Sequence, residues 1–161
     1  MKKKARWGHR GEWYVAIQFL LFILIFLAPL ALPELVEWSK PWDMIATGLG
    51  VILLGAGGLM AMFGVLSLGS NLTAVPYPKE EAVLVVSGAY RFVRHPIYSG
   101  IILGSLGWSL LTNSLLALFL TLVLFIFFDV KSRREEQWLK DKYTNYPSYQ
   151  KQVRKLIPLI Y

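Results

Sequence analysis

The sequence predicts an all-α integral membrane protein with about four transmembrane helices, the last two forming a tight hairpin, followed by a cytoplasmic interfacial C-terminal helix. Apolar runs at residues 13–32, 44–68, 97–111 and 115–129 are the first observation. About 20 such residues are needed to cross the hydrocarbon of a bilayer. The second observation is that Lys and Arg are concentrated beside these runs. Because the chain has no cysteine, neither a disulfide framework nor a thiolate metal site is expected, and no metal site is predicted.

The first and last runs each need an interpretation. Basic residues precede the first run, as in a signal peptide, but the run is too long for one and no small-residue cleavage site follows before Pro33. We therefore expect it to be retained as a helix. Residues 111–114, Leu-Thr-Asn-Ser, join the last two runs. This spacing predicts a helical hairpin over residues 97–129, whose arms are tilted or stop short of one interface.

The distribution of positive charge predicts the orientation, because short loops rich in Lys and Arg stay on the cytoplasmic side. Five such residues precede the first run, one lies in residues 33–43, three lie in residues 70–96 and eight follow residue 128. Both termini and the 70–96 loop are therefore expected in the cytoplasm. The net charge of +7 would then contact anionic membrane lipids. Its division among three segments does not favour a nucleic-acid partner.

The chain is interpreted as one membrane domain, residues 1–161, with two transmembrane helices in 1–69 and the functional core in 70–161. Glycines in the second apolar run allow close helix approach in lipid; they are Gly48, Gly50, Gly55, Gly57, Gly58 and Gly64. Gly100 and Gly104 form a GxxxG pair in the third run. Helix packing is the expected role of all these glycines except Gly100.

The segment between the second and third runs is expected to be a structured loop. Pro76 and Pro78 prevent a helix at its start. Residues 82–86 have a strand-like composition, but a lone strand lacks a partner in a helical membrane protein, so we expect an extended segment. At the other end of the chain, Pro147 and Pro158 predict that residues 144–161 are rich in turns.

The densest polar cluster beside an apolar run is YRFVRHPIYSG, residues 90–100. Pro96 suits the first turn of the third helix, and this places His95 at the N-cap, beside free N–H groups that favour a carboxylate. Tyr98 lies in the first turn, where its ring can stack on a planar ligand. Since the hairpin is antiparallel, the start of the third helix and the end of the fourth must be neighbours. Polar residues leave the membrane there: Lys131, Glu135 and Glu136.

Each of these residues also has a purely structural interpretation. Arg91, Arg94 and Lys131 can simply follow the positive-inside bias. His95 can be a helix cap, and Glu135 can pair with Lys131 at i,i+4. The order of the whole set, more than any single residue, favours a functional site.

The order is SGxYRxxRHPxYxG, a hairpin, a Glu-Glu pair and a basic, Tyr-rich tail, and it spans residues 70–158. In this order the chain resembles the integral membrane isoprenylcysteine carboxyl methyltransferase and phospholipid methyltransferase group. The resemblance implies methyl transfer from S-adenosylmethionine, held on the cytoplasmic side, to a lipophilic acceptor that enters from the bilayer. It implies cofactor contacts at Ala82, Val83, Leu84, Val85, Tyr90, His95, Pro96, Ile97, Tyr98, Gly100 and Glu135.

For the acceptor, the resemblance implies binding by Lys131 and Arg94, with Lys131 and Glu136 as catalytic residues. Glu136 or His95 would act as a general base only if the acceptor were a protonated amine. Lys131 stands where the carboxyl methyltransferases have Arg, and Lys supplies charge without a bidentate fork. A prenylated-cysteine carboxylate is the expected acceptor. The alternatives are N-methylation of an amine headgroup lipid and a non-catalytic lipid-binding or scaffold protein.

Overall fold

The computed structural model describes residues 10–31, 39–158 and 160–161, and the structural statements below concern these residues. They form helices without any β-strand. The α-helices are α1 (Glu12–Ala31), α2 (Trp42–Leu68), α3 (Pro96–Leu111), α4 (Leu115–Lys142) and α5 (Tyr146–Gln152). Short 3-10 helices cover Gly69–Asn71 and Gly88–Arg91. The basic residues before Arg10 and most of the predicted outer loop at 33–43 lie outside the described residues.

Helices α1, α2 and α4 are each long and apolar enough to cross a membrane. Helix α3 has 16 residues, which at 1.5 Å per residue gives about 24 Å, against about 30 Å of hydrocarbon. Helix α4 has 28 residues, or about 42 Å. The polar segment from Asp129 therefore extends the fourth helix without a break, as the sequence predicts.

The turn of the predicted hairpin is built by two polar residues. Asn113 adopts the left-handed region with φ 48°, which Asn tolerates better than most residues. Ser114 is the N-cap of α4, and its side chain accepts a hydrogen bond from the amide of Ala117. The side-chain amide of Asn113 also donates to Asp43 at the start of α2, at 3.1 Å. These contacts fix one end of the helix bundle.

Glycines hold α2 against α3. Gly50, Gly57 and Gly64 are buried and seven residues apart, so they repeat along one face of α2. A Cβ at Gly57 would meet backbone atoms of Gly100 and Gly104 closer than real Cβ atoms approach. Gly48, Gly55 and Gly58 have no atom within 4 Å of such a Cβ. The packing role predicted for the glycines of α2 is thus confirmed for half of them, because the other half lie on the opposite face.

This interface gives a test of stability. Replacing Gly57 by Ala is expected to lower the free energy of unfolding by about 1–3 kcal/mol, since the methyl group must push two backbones apart. Replacing Gly58 by Ala is the matched control and should have no cost, because its Cβ points to open space. Denaturant unfolding in detergent micelles compares the two variants. Equal stability of the two would contradict the packing.

Helix α1 packs against α4 through Leu21, Ile25, Leu124 and Phe128. Further along, the ring of Phe26 stacks on Trp108 of α3, with centroids 5.4 Å apart. Helix α1 therefore contacts the hairpin along its length. At the end where α1 and α3 begin, the bundle opens, and loop residues complete the structure.

The C-terminal segment corrects the sequence prediction. Residues 146–152 form α5, whereas a turn-rich end was expected. From the sequence alone Pro147 predicts a turn, but it lies in the first turn of α5, where proline costs no hydrogen bond. Beyond α5 the chain pairs with the segment before α3: Arg94 N donates to Arg154 O at 2.8 Å, and His95 N donates to Lys155 O at 3.1 Å.

A buried ion pair holds this C-terminal segment to α4. The ammonium of Lys155 lies 2.6 Å from Asp129 Oδ1, and the Lys155 side chain is almost fully enclosed. The hydroxyl of Ser99 donates to Leu156 O at 2.5 Å. The C-terminal segment is therefore fixed to both arms of the hairpin, and it determines where the start of α3 lies.

The loop between α2 and α3 is extended, as predicted, with no strand over residues 82–86. Val83 N donates to Asn71 Oδ1 at 3.0 Å, and the Tyr143 hydroxyl donates to Ala82 O at 2.6 Å. The ammonium of Lys142 donates to the carbonyls of Lys79 and Glu80. The end of α4 thus holds this loop over the open end of the bundle.

Candidate active site

A cavity of about 290 Å³ lies at this end, between α1, α3, α4, α5 and the extended loop. That volume is near the lower end of the range of small-molecule sites, roughly 300–1,000 Å³. Most of the residues predicted for a site line it: Ala82, Val83, Leu84, Val85, Tyr90, Arg94, His95, Ile97, Tyr98, Lys131 and Glu135. The fold brings these residues together from three stretches of the sequence, 82–85, 90–98 and 131–135.

Three predicted residues do not line the cavity. Pro96 is buried at the first turn of α3. Gly100 faces α2, where a Cβ would lie 2.5 Å from Ala61 N. Glu136 is buried behind His95. Cofactor contact by Pro96 and Gly100 stays a prediction, and the position of Gly100 favours helix packing instead.

Glu135 provides the acidic group of the cavity. Its Oε2 accepts a hydrogen bond from the Tyr98 hydroxyl at 2.8 Å and lies 3.8 Å from His95 Nδ1. The sequence left open an i,i+4 pair between Glu135 and Lys131, but no ion pair joins these two residues. An ionised carboxylate accepts several hydrogen bonds. Glu135 can therefore also accept hydrogen bonds from a ligand in the cavity.

Glu136 is surrounded by donors. Its Oε1 lies 2.8 Å from Arg94 Nε and 3.1 Å from His95 Nε2, and its Oε2 accepts from Gln150 at 2.7 Å. The Arg94 guanidinium donates further to the carbonyls of Gln150 and Val153. Because both oxygens are engaged, the contacts favour a positioning role for Glu136. Its role as a general base and acceptor binding by Arg94 stay predictions.

Three flat rings form a stack at the start of α3. The His95 and Tyr98 rings lie 1° from parallel with centroids 5.4 Å apart. The Tyr98 and Phe128 rings lie 6° from parallel at 4.4 Å. Tyr98 is thus held between its two neighbours and by Glu135. Stacking of Tyr98 on a ligand stays a prediction, and the His95 and Phe128 rings already stack on Tyr98.

Lys131 is a buried cation with an unexpected partner on α1. Its ammonium donates to Gln18 Oε1 at 2.6 Å and lies 4.9 Å from the centre of the Tyr98 ring. Both Lys131 and Gln18 line the cavity. Val15, Phe19 and Ile101 line the same part of it with apolar side chains. The cavity therefore combines a buried positive charge with an apolar wall near the membrane helices.

Tyrosines of the C-terminal segment complete the polar wall. The Tyr149 hydroxyl donates to Tyr90 O at 2.6 Å. Burial raises the pKa of Tyr90, Tyr146 and Tyr149 well above the ordinary value, so their hydroxyls stay protonated. The Tyr146 hydroxyl is buried and has no hydrogen-bond partner among the described residues. Tyr146 also lines the cavity, although only 1% of its surface is exposed.

Sequence reasoning missed Gln18, Tyr146 and Gln150. Gln18 carried a signal, since it is the one polar side chain within the apolar run from Val15 to Leu27, and polar groups inside membrane helices are costly and often functional. Tyr146 and Gln150 gave no such signal, because they lie in a segment interpreted as turns. Their positions depend on α5.

The apolar helices and the cavity define an integral membrane protein with a cavity at one end of its helix bundle. Comparison with known proteins identifies its family. The model of the phospholipid methyltransferase family matches residues 45–146. The chain belongs to the phospholipid methyltransferase family.

Relatives of the chain are protein-S-isoprenylcysteine O-methyltransferases. A probable protein-S-isoprenylcysteine O-methyltransferase of Oryza sativa subsp. indica is 30% identical over 135 residues, which cover 81% of this chain and 68% of the relative. The protein-S-isoprenylcysteine O-methyltransferase of Saccharomyces cerevisiae is 29% identical over 161 residues, which cover 94% of this chain and 66% of the relative. The resemblance stated from the sequence is confirmed at the level of the family.

A solved structure is also similar. The eukaryotic intramembrane Ras methyltransferase ICMT (isoprenylcysteine carboxyl methyltransferase) superposes with a TM-score of 0.65 at 25% identity, over 98% of this chain. The present chain spans 55% of the length of that protein. The similarity supports the assignment of this chain to integral membrane proteins.

Proposed function

We propose that this protein transfers a methyl group from S-adenosylmethionine to the carboxylate of an isoprenylcysteine-like acceptor. The observation that carries the proposal is the cavity itself. Its polar lining includes Glu135, Tyr98 and His95, and it is also lined by the buried Lys131 and by apolar side chains. The same cavity thus offers hydrogen-bond acceptors to a polar cofactor and a positive charge to an anionic lipid.

The residues present fit S-adenosylmethionine. Glu135 can accept hydrogen bonds from the amine and the ribose hydroxyls of that molecule. The Tyr146 hydroxyl, buried without a partner among the described residues, can donate to its carboxylate. The backbone of Ala82, Val83, Leu84 and Val85 forms an extended edge along the cavity. When bound, S-adenosylmethionine supplies a methyl group on a sulfonium, whose sulfur leaves as a neutral thioether.

The residues of the chain then need only to bind the acceptor, exclude water and align the reacting atoms. Lys131 binds the acceptor carboxylate, and the apolar wall excludes water from it. A carboxylate is already deprotonated at neutral pH, so methylation of its oxygen requires no general base. Alignment of the acceptor oxygen with the methyl group provides most of the rate acceleration. Glu136 keeps His95 and Arg94 in place.

N-methylation of an amine headgroup lipid is the second candidate, favoured by the name of the matching family model. Lys131 argues against it, because a buried ammonium repels a positively charged amine. Glu136 also argues against it, since a protonated amine needs a base and both oxygens of Glu136 already accept hydrogen bonds.

The proposal includes the orientation and the domain organisation. In this proposal both termini and the cavity lie on the cytoplasmic side, which the distribution of positive charge in the sequence favours. With α3 as a short fourth span, residues 1–69 supply two membrane helices and residues 70–161 the methyltransferase core. One observation supports this arrangement. The loop over residues 70–95 and the end of α4 lie at the same end of the bundle, joined by hydrogen bonds.

Transfer of radiolabelled methyl groups tests the proposal. Purified protein in lipid vesicles receives labelled S-adenosylmethionine with either N-acetyl-S-farnesylcysteine or phosphatidylethanolamine. We expect a base-labile methyl ester on the farnesylcysteine and no label on the phospholipid. A methylated amine would favour the second candidate. If neither acceptor is labelled and S-adenosylhomocysteine does not bind, the protein is a lipid-binding or scaffold protein instead.

A further inference from the structure

Lys131 is a buried charge that forms no ion pair, although Glu135 lies one helical turn further along α4 and acts on it electrostatically. No carboxylate of the described residues lies within ion-pair distance of its ammonium. Its hydrogen-bond partner is the neutral amide of Gln18. Buried charges in proteins are normally paired, because an isolated one loses its hydration without compensation. An anion in the cavity would supply the missing charge.

The same contact fixes the orientation of the Gln18 amide. An ammonium has three donors and no acceptor, so the atom 2.6 Å from Lys131 Nζ must be the amide oxygen. The amide nitrogen therefore points away from Lys131 with two N–H groups. It makes no hydrogen bond to the described residues, and Gln18 is half-buried on the cavity wall.

Lys131 by itself is a point charge and cannot bind both oxygens of a carboxylate in a fixed geometry. The neighbouring Gln18 amide adds neutral donors that do have a fixed direction. Lys131 and Gln18 come from α4 and α1, 113 residues apart in sequence, and meet at the part of the cavity lined by Val15, Phe19 and Ile101.

From this geometry we infer that Gln18 and Lys131 together form a two-point donor site that selects an anionic carboxylate acceptor. Lys131 supplies the charge, and Gln18 fixes its ammonium and donates to the second carboxylate oxygen. This inference rests on the proposed function and names the residue that gives the carboxylate preference. Gln18 is thus a specificity-determining residue on the first membrane helix.

Binding of the acceptor in two charge states tests the inference without requiring turnover. Calorimetry in detergent compares N-acetyl-S-farnesylcysteine with its methyl ester. We expect the parent to bind the acid about 10- to 100-fold more tightly than the ester, the effect of a charge-assisted hydrogen bond. The Gln18→Glu variant pairs its carboxylate with Lys131, so this preference should disappear. The Gln18→Met variant, of similar volume, should lose part of it.

The second arm tests whether the two residues act together. The Gln18→Met/Lys131→Arg double variant should regain the acid preference, because one guanidinium presents both donors. Gln137→Glu and Gln137→Met are matched controls, since Gln137 is exposed on α4 and does not line the cavity. Binding of S-adenosylhomocysteine should be the same in all variants, which separates acceptor selection from misfolding.

A methyl-transfer assay distinguishes failure of the inference about Gln18 from failure of the proposed function. If the parent esterifies farnesylcysteine but Gln18→Glu keeps the full acid preference and an unchanged KM, then the inference is wrong and the proposed function stands. If the parent binds acid and ester equally, the inference is also wrong. A rise in KM with little change in kcat for Gln18→Met supports it, because a change in helix packing alone would also alter S-adenosylhomocysteine binding.

Discussion

Replacing Glu135 by Gln is expected to weaken S-adenosylhomocysteine binding by about 10- to 100-fold, because hydrogen bonds to an ionised group contribute about 1.5–3 kcal/mol. Glu135 is the one cavity-lining carboxylate among the described residues. A Gln side chain keeps the size of Glu but loses the charge and half of the acceptors. Tyr98 also loses its carboxylate acceptor in this variant.

Glu81→Gln is the control for this experiment, since Glu81 is exposed on the loop and does not line the cavity. Its binding constant should equal that of the parent. Titration calorimetry in detergent measures all three proteins. Unchanged binding by Glu135→Gln would show that the cofactor does not contact Glu135 and that its site lies elsewhere.

Replacing Glu136 by Ala is expected to have the largest effect on stability, a loss of about 3–5 kcal/mol in the free energy of unfolding. The substitution leaves Arg94 and His95 buried without their shared acceptor and removes the partner of Gln150. The Glu136→Gln variant should lose less, because its amide oxygen can still accept from Arg94. Denaturant unfolding in micelles measures the difference, and Glu81→Ala is the control.

Stability equal to that of the parent in Glu136→Ala would contradict the positioning role of Glu136.

The positioning role of Glu136 also has a consequence for cofactor binding. His95 and Arg94 lie at the point where the C-terminal segment pairs with the start of α3. Where Glu136→Gln remains folded, S-adenosylhomocysteine binding should fall less than in Glu135→Gln, because Glu136 acts through its neighbours.

The membrane helices were predictable because apolar composition and length alone specify them. The run at 13–32 corresponds to Glu12–Ala31, and the run at 44–68 corresponds to Trp42–Leu68. The hairpin was predictable from the short turn between its arms, because a short turn makes the two helices antiparallel neighbours. Tyr98 and Glu135, 37 residues apart, therefore meet as the hairpin requires.

The C-terminal contacts could not be predicted in the same way. Pairing of residues 93–95 with 154–155 connects two short segments that have no periodic pattern. The Lys155–Asp129 ion pair follows from that pairing. Gln18 stood out as a polar residue in an apolar helix, but its partner depends on which face of α1 packs on α4. Leu21 and Ile25 determine the packing face of α1, since they lie in the core with residues of α4. Nothing in the sequence indicates that this face brings Gln18 to Lys131.

Titration of the unmodified protein with S-adenosylhomocysteine tests the central claim most directly. The cavity beside Glu135, Tyr98 and Tyr146 should bind one molecule per chain in a saturable manner, and S-adenosylmethionine should displace it. Circular dichroism of the same sample establishes that the helices are folded. Absence of binding by such a folded sample would contradict the assignment of this cavity to the methyl donor.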